Sequence, residues 1–343
     1  MPTHRTGRRT SIAIVGGDTL LGKEIHELLD ARKIPANIRL VASFEPEDSS
    51  SSTSILAIGK EEPLVMTSLQ AADLASAEIV ILAASQETGR QAYEKIQGAK
   101  PAPIVLDLNG ALEDLAESRL RAPMVEPSGF RAQGPVQTVA HPAAVATALL
   151  LAHLRKSRAI RRSVIEIFEP VSERGKAGID ELQKQAVALL SFKPLPKAVF
   201  DAQISFNMLS EYGSEAPLSL QEIELKIDRH LASLLAASAA PMPSLRLMQA
   251  PVFHGYSISA WIEFEENPGM DRIFQALGSG NIDVRTKDHE PPTNVGVAGQ
   301  GGITVGSIAQ DRNRPRAWWF WVAADNLQIA AENAGEVVRE FLE

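Results

Sequence analysis

The sequence predicts an α/β fold, a doubly wound parallel sheet interrupted by a second, α+β domain. Three observations lead there. Short apolar runs alternate with helical patterns through the first third of the chain. The first run ends in a glycine-bearing turn, residues 16–22 (GGDTLLG), where a strand would hand over to a helix. After about residue 136 the rhythm changes to longer segments that alternate as half-buried strands do. At 343 residues the chain can bury two separate cores.

The elements follow in order. Residues 11–15 (SIAIV) form a short apolar run typical of a buried parallel strand. Residues 22–29 then read as a helix, with Ile25, Leu28 and Leu29 on one face. A second strand is expected over residues 38–44, followed by a polar, low-complexity stretch at 45–54 that reads as a solvated loop or flap. Residues 77–83 and 103–108 give two more strands, with a helix over 87–97 between them. Right-handed crossovers place the mouth of the first strand beside the turn at Gly16. Beyond the change of rhythm, Pro142 stands near the start of a helix over 143–154, and strands are expected at 163–168 and 257–263. Helices over 178–190 and 220–235 lie between those strands. The run 318–322 (WWFWV) is a further strand, and a last helix over 327–341 is free to return to the first domain. The apolar run 250–253 (APVF) also reads as a strand. The tryptophans suit a sheet core or a subunit interface better than a ligand box. The expected domains are residues 1–136 with 326–343, and 137–325.

Composition excludes several classes. Hydrophobic residues at 45% and charged residues at 22% are globular proportions. A net charge of −8 argues against a nucleic-acid surface. Residues 1–9 are basic, but no apolar core of a signal peptide follows, and the apolar run 143–154 falls short of the ~20 residues that span a bilayer. The expected location is the cytoplasm, with no membrane partner. The chain has no cysteine, so it holds no thiolate nucleophile, disulfide or thiolate metal site. His4, His26, His141, His153, His230, His254 and His289 show no paired ligand spacing, so no metal is expected.

In the turn, Gly16 and Gly22 leave room for a pyrophosphate to approach the backbone, with Thr19, Leu20 and Leu21 at the helix N-terminus. Asp18 stands where a carboxylate would repel phosphate. It reads as a helix N-cap that fills the protein's own anion hole. Glu45 follows the second strand, about where an acidic residue grips a ribose 2′-OH. In that role it favours NAD and disfavours NADP; in the other reading it is a loop carboxylate.

Several separated motifs resemble the aspartate-semialdehyde dehydrogenase family. Residues 16–22 resemble its GATGAVG loop, 105–112 (VLDLNGAL) its VVDNSSAF segment, and 140–144 (AHPAA) its ANPNC motif. Residues 224–227 (ELKI) resemble its EWK helix, and 250–256 (APVFHGY) its VPVFxGH segment. Near the C-terminus, 305–308 (VGSI) and 324–327 (ADNL) resemble VGRIR and GDNL. Residues 205–209 (SFNML) and 249–253 (QAPVF) look closest to the catalytically divergent Usg-type branch. The resemblance implies a Rossmann-type dinucleotide-binding domain and an inserted domain that forms a homodimer.

It also implies a chemistry: a cysteine at a helix N-terminus attacks an acyl group, a histidine moves the proton, and two arginines hold the substrate. In this sequence the cysteine position falls on Ala144, the histidine on Tyr256 and the arginines on Gln249 and Glu113; the arginine that meets a 2′-phosphate falls on Glu45. Retained are Glu224 and Lys226, expected at the substrate's amino and phosphate groups, and Asn326, expected beside the nicotinamide. With their partners replaced, Glu224 and Lys226 also read as an ordinary solvated helix pair. His254, two residues before Tyr256, is a candidate substitute acid–base group, and His141 lines the old pocket or begins the helix. Thr147, further along that helix, is expected to back-bond to its own turn. Three functions remain in view: a non-catalytic dimeric paralogue that binds NAD or a partner enzyme, an NAD-dependent oxidoreductase using direct hydride transfer, and a structural dimer without nucleotide.

Overall fold

The computed structural model describes residues 9–43, 53–56, 64–131, 133–278 and 280–342. Glu45 and most of the expected flap lie outside them. The chain divides into two compact units. The first comprises Met1–Pro123, Pro127–Ala140 and Ala330–Glu343; the second comprises Met124–Glu126 and His141–Ile329.

The first unit is built on an eight-stranded sheet. Its strands are β1 (Thr10–Val15), β2 (Ala36–Val41), β3 (Thr53–Leu56), β4 (Leu64–Thr67), β5 (Ile79–Leu82), β6 (Ile104–Asp107), β7 (Ser118–Arg121) and β8 (Val136–Val139). They run in the order β3-β4-β2-β1-β5-β6-β8-β7, all parallel except β3 against β4. The break between units falls at Ala140 rather than at residue 136, because β8 pairs with β6 and β7.

Helices cover both faces of this sheet, which is why its central strands are apolar on both sides. Ile12 and Ile14 of β1 pack with Ile25 and Leu29 of α1 (Leu20–Ala31) and with Ala331, Ala334 and Val337 of the C-terminal helix (Asn326–Leu342). The alternate residues Ala13 and Val15 pack with Ala92 and Ile96 of α2 (Gln86–Ile96). The C-terminal helix is anchored by the fully buried Arg121, whose guanidinium donates to both oxygens of Glu340 at 2.9 Å.

The second unit carries a mixed six-stranded sheet. Its strands are β9 (Ile160–Glu169), β10 (Ser244–Gln249), β11 (Tyr256–Phe264), β12 (Ile282–Val284), β13 (Ile303–Gln310) and β14 (Ala317–Ala324), in the order β10-β9-β11-β14-β13-β12. Helix α3 (Pro142–Leu154) packs against β9 and against helices α5 (Leu220–Leu235) and α6 (Met270–Leu277). It is apolar on every side, as a helix buried all round must be. The remaining helices are α4 (Gly175–Leu190) and α7 (Asn326–Leu342), whose first four residues lie in this unit.

Alternation along β14 buries Trp318, Phe320 and Val322 and turns Trp319 outward, 43% exposed. The indole N–H groups of Trp261 and Trp319 both donate to the Asp311 carboxylate, at 2.8 and 3.0 Å. One expectation fails: residues 250–253 are not a strand. They form a loop whose Val252 and Phe253 carbonyls accept from the Val171 and Ser172 N–H groups. Apolar side chains in that loop reflect burial, not sheet pairing.

Gly22 marks the tightest point of the first unit, since a Cβ there would stand 1.9 Å from the Gly16 carbonyl oxygen. Gly22→Ala forces α1 off the turn and is expected to cost about 1–3 kcal/mol, read as a clear fall in melting temperature. An unchanged melting temperature would show that the helix does not need this approach.

Candidate functional site

The glycine turn of the first unit is held by its own backbone. Gly16 and Gly17 N–H both donate to the Val41 carbonyl at the end of β2, at 2.8 and 3.0 Å. Gly16 has φ +90° and leaves no room for a side chain, because a Cβ would meet Ala84 N at 2.7 Å. Thr19 is the N-cap of α1: its hydroxyl accepts from Gly22 N at 2.9 Å and donates towards the Gly16 and Ala83 carbonyls. Asp18 is therefore not the cap. Its carboxylate accepts from Ser43 N at 2.6 Å and Ser43 Oγ at 2.5 Å, beyond the end of β2. The Leu20 and Leu21 N–H groups, in the first turn of α1, make no hydrogen bond among the described residues. Strand, bare glycine backbone and outward N–H groups fit the pyrophosphate of a dinucleotide. Glu113, at a family arginine position, lies in the turn after β6 in this same unit.

In the second unit, α3 begins at Pro142, a residue suited to a first helical position because it has no N–H to satisfy. His141 is its cap: Nδ1 accepts from Ala143 N at 3.3 Å, which assigns the ring proton to Nε2. The His141 N–H in turn donates to Nδ1 of the buried His230, on α5, at 2.9 Å. Ala144 is fully buried in the first turn of the helix, and Thr147 donates back to the Ala143 carbonyl at 2.8 Å.

Around this cap the fold gathers charges that are far apart in sequence. Glu169 ends β9, and a 3₁₀ turn, Val171–Arg174, leads straight into α4. That turn places Glu173 with its Oε2 3.9 Å from His141 Nε2, and Arg174 Nη2 2.9 Å from Glu169 Oε1. The donor atoms of His141, Glu169 and Glu173 lie within 4.8 Å of one another, a grouping invisible in the sequence spacing. Asn326 is locked beside them. Its Nδ2 donates to Glu173 at 2.9 Å, and its Oδ1 accepts from Ser172 Oγ and Gly255 N at 3.2 and 3.1 Å.

Gln249 and Tyr256 belong to the same network. Gln249 is fully buried, its Nε2 donating to the Glu169 and Ala250 carbonyls and its Oε1 accepting from Tyr212 at 2.6 Å. Its backbone pairs both ways with Leu209, so the two segments that look most Usg-like are joined in the fold. Tyr256 is also fully buried. Its hydroxyl has no hydrogen-bond partner, although it faces Glu173. Burial, with Glu173 and Glu169 adding to it, raises the Tyr256 pKa well above the usual phenol range. His254 stands apart: Gly255, at φ +80°, breaks the extended run, so His254 and Tyr256 do not share a strand face.

Burial also pushes the Glu169 carboxyl up to about 7, Glu173 adding to this and Arg174 opposing it. The Tyr212 hydroxyl lies between two acceptors, 2.6 Å from Gln249 Oε1 and 3.2 Å from Glu169 Oε2. With Arg174 already paired inside the cluster, this donor set suits the sharing of a proton better than a divalent ion.

Glu224 and Lys226 both lie on α5. The Glu224 carboxylate accepts from Leu247 N at 2.6 Å and lies 4.0 Å from Arg246, tying α5 to β10. A cavity of about 450 Å³ opens there, lined by Tyr212, Ser219, Gln221, Glu224 and Arg246 among others. Glu169, Glu173, Arg174, Tyr212 and His230 are not singled out by any sequence spacing. The one local signal is residues 169–174 (EPVSER), three charges crowded at the end of an apolar strand.

A Rossmann-type NAD(P)-binding fold joined to a mixed-sheet domain defines the oxidoreductase class to which this architecture belongs. Residues 151–329 match the family model described as semialdehyde dehydrogenase, dimerisation domain, and the chain belongs to the semialdehyde dehydrogenase family. It is 30% identical over 321 residues to the USG-1 protein homolog of Azotobacter vinelandii, covering 92% of this chain and 93% of that one. With the USG-1 protein homolog of Pseudomonas aeruginosa it shares 27% over 336 residues, 97% of each. Among solved structures, a probable aspartate-semialdehyde dehydrogenase from Pseudomonas aeruginosa superposes with a TM-score of 0.82 at 26% identity, covering 98% of this chain and 99% of that one. The match to a dimerisation domain supports a homodimer. Among the described residues, no helix is long and apolar enough to cross a membrane.

The elevated Glu169 pKa fixes a pH dependence. The folded protein holds a proton between 4.5, the ordinary value, and about 7 that the unfolded chain has released. This group's contribution to stability is therefore full below the lower value and is lost as pH rises to the upper one. Melting temperature followed from pH 4.5 to 8 should show that fall in the wild type and a flatter profile in Glu169→Gln. Parallel profiles would place the proton elsewhere. Arg174→Met strands the buried Glu169 carboxylate and is expected to cost about 3–5 kcal/mol at pH 8, and less at pH 5, where Glu169 is neutral.

Proposed function

We propose that this chain is a homodimeric member of its family that no longer performs thioester chemistry and that holds NAD in its first unit. The observation that carries the reading is Ala144: the helix N-terminus suited to a thiolate bears a buried methyl group, and the chain has no cysteine. The neighbouring changes point the same way. Gln249 has no polar group left for a substrate carboxylate, since every one is bonded within the protein. Tyr256 offers a buried phenol of raised pKa where a histidine would move a proton near neutrality. Glu173 stands at the cap of α3 beside Glu169, and its carboxylate disfavours an anionic substrate there.

A bound nicotinamide dinucleotide would supply hydride transfer. The parts of this chain suited to holding it are the bare backbone at Gly16 and Gly22 and the Leu20 and Leu21 N–H groups. A second reading keeps catalysis, as direct hydride transfer to a carbonyl compound with Tyr256 as acid. What favours it is the unpartnered Tyr256 hydroxyl, and loss of any such turnover in Tyr256→Phe distinguishes it.

The test is phosphate-dependent oxidation of aspartate semialdehyde with NAD or NADP. Pure wild-type protein is expected to show no turnover above background. Ala144→Cys alone is expected to stay within about tenfold of background, because the missing general base is by itself worth 10²–10⁴-fold. Wild-type turnover that requires phosphate would overturn the proposal.

A further inference from the structure

Asp18 does something the glycine pattern does not ask of it. β1 and β2 run parallel and in register to their last residues, Val15 beside Val41, so their carboxyl ends stand side by side. The turn then wraps the tip of β2 through the two N–H bonds from Gly16 and Gly17 to the Val41 carbonyl. This delivers the Asp18 carboxylate to Ser43, where one oxygen accepts from the backbone N–H and the other from the hydroxyl. Each oxygen keeps a further acceptor site, and no described cation is paired with the carboxylate. Asp18 is only partly buried, so its carboxylate is not closed off from solvent.

In a doubly wound sheet a dinucleotide lies across the carboxyl ends of the strands, its pyrophosphate at the first helix and its adenosine ribose over the tip of the second strand. The carboxylate that takes the ribose hydroxyls is ordinarily supplied by the second strand itself. We infer that in this protein Asp18, reaching across from the glycine turn and braced by Ser43, is the residue that selects NAD over NADP. Its two free acceptor sites meet the 2′- and 3′-hydroxyls of the ribose. A 2′-phosphate would set a dianion against a carboxylate that no described cation neutralises. The inference rests on the dinucleotide-binding reading above and assigns its specificity to a residue that sequence spacing would have given to Glu45.

The experiment is calorimetric titration of the full-length protein with NAD and with NADP, in the wild type, Asp18→Asn and Ser43→Ala, each first checked for an unchanged melting profile. Asp18→Asn keeps an acceptor for Ser43 but removes the charge; Ser43→Ala loosens the brace and leaves the charge. Wild-type protein should bind NAD about 100-fold more tightly than NADP. Asp18→Asn should gain at least about tenfold in NADP affinity and bring the two cofactors close together, while Ser43→Ala should keep most of the preference. Equal binding of both cofactors by the wild type, or an undiminished preference in Asp18→Asn, overturns the inference and leaves dinucleotide binding standing. If neither cofactor binds up to millimolar, the dinucleotide reading and this inference fall together. If Asp18→Asn melts early, Asp18→Glu takes its place: it keeps the charge, so a lost NAD preference there would also overturn the inference.

Discussion

The second unit is organised around one largely enclosed cation, Arg174. Arg174 lies at the junction of β9 and α4, its side chain only 10% exposed, and its partner Glu169 is fully buried. A guanidinium in that position is tolerable only if carboxylates surround it, and the fold supplies Glu169 and Glu173. The attraction of these carboxylates raises the Arg174 pKa further, so it never gives up its charge. Each partner then reaches another element. Glu169 contacts Tyr212, Tyr212 donates to Gln249 on β10, and Glu173 accepts from Asn326 at the start of α7. Removing the cation would leave the whole set of polar groups without its centre.

This arrangement bears directly on chemistry. A site that binds a phosphorylated, carboxylated substrate must present free positive charge, and a thioester route needs a nucleophile and a base of matched pKa. Here the cation is already paired, the amide of Gln249 is saturated and the first turn of α3 presents a methyl group. Gln249 and Tyr256 are not idle. They belong to a connected polar network, in which the Tyr256 hydroxyl and Arg174 Nε have no hydrogen-bond partner.

The first unit obeys a different constraint, close approach of backbone to backbone. Gly22 against the Gly16 carbonyl, and Gly16 against Ala84, leave no volume for side chains. The turn stays tight, α1 starts close over β1, and the Leu20 and Leu21 N–H groups make no hydrogen bond among the described residues. That geometry also throws Asp18 sideways onto Ser43, instead of back over the helix.

Much of this was legible in the chain. The helix at 220–235 is found with the bounds its periodicity predicts, and the apolar runs of β1, β5 and β6 lie where expected, because solvation of one face or of none leaves a period in the sequence. The absence of a cysteine and the identity of Ala144, Tyr256 and Gln249 are likewise properties of the sequence alone. The short strands β3, β4, β7 and β8 leave no such period; they exist because neighbouring strands offer them hydrogen bonds. Only the tertiary structure decided that 250–253 is a loop, that Gly255 separates His254 from Tyr256, and that Asp18 turns to Ser43. It alone brought His141, Glu169, Glu173, Arg174, Tyr212 and Asn326 together across 185 residues of chain (326 − 141). Charges so far apart meet only through packing, which no local pattern records.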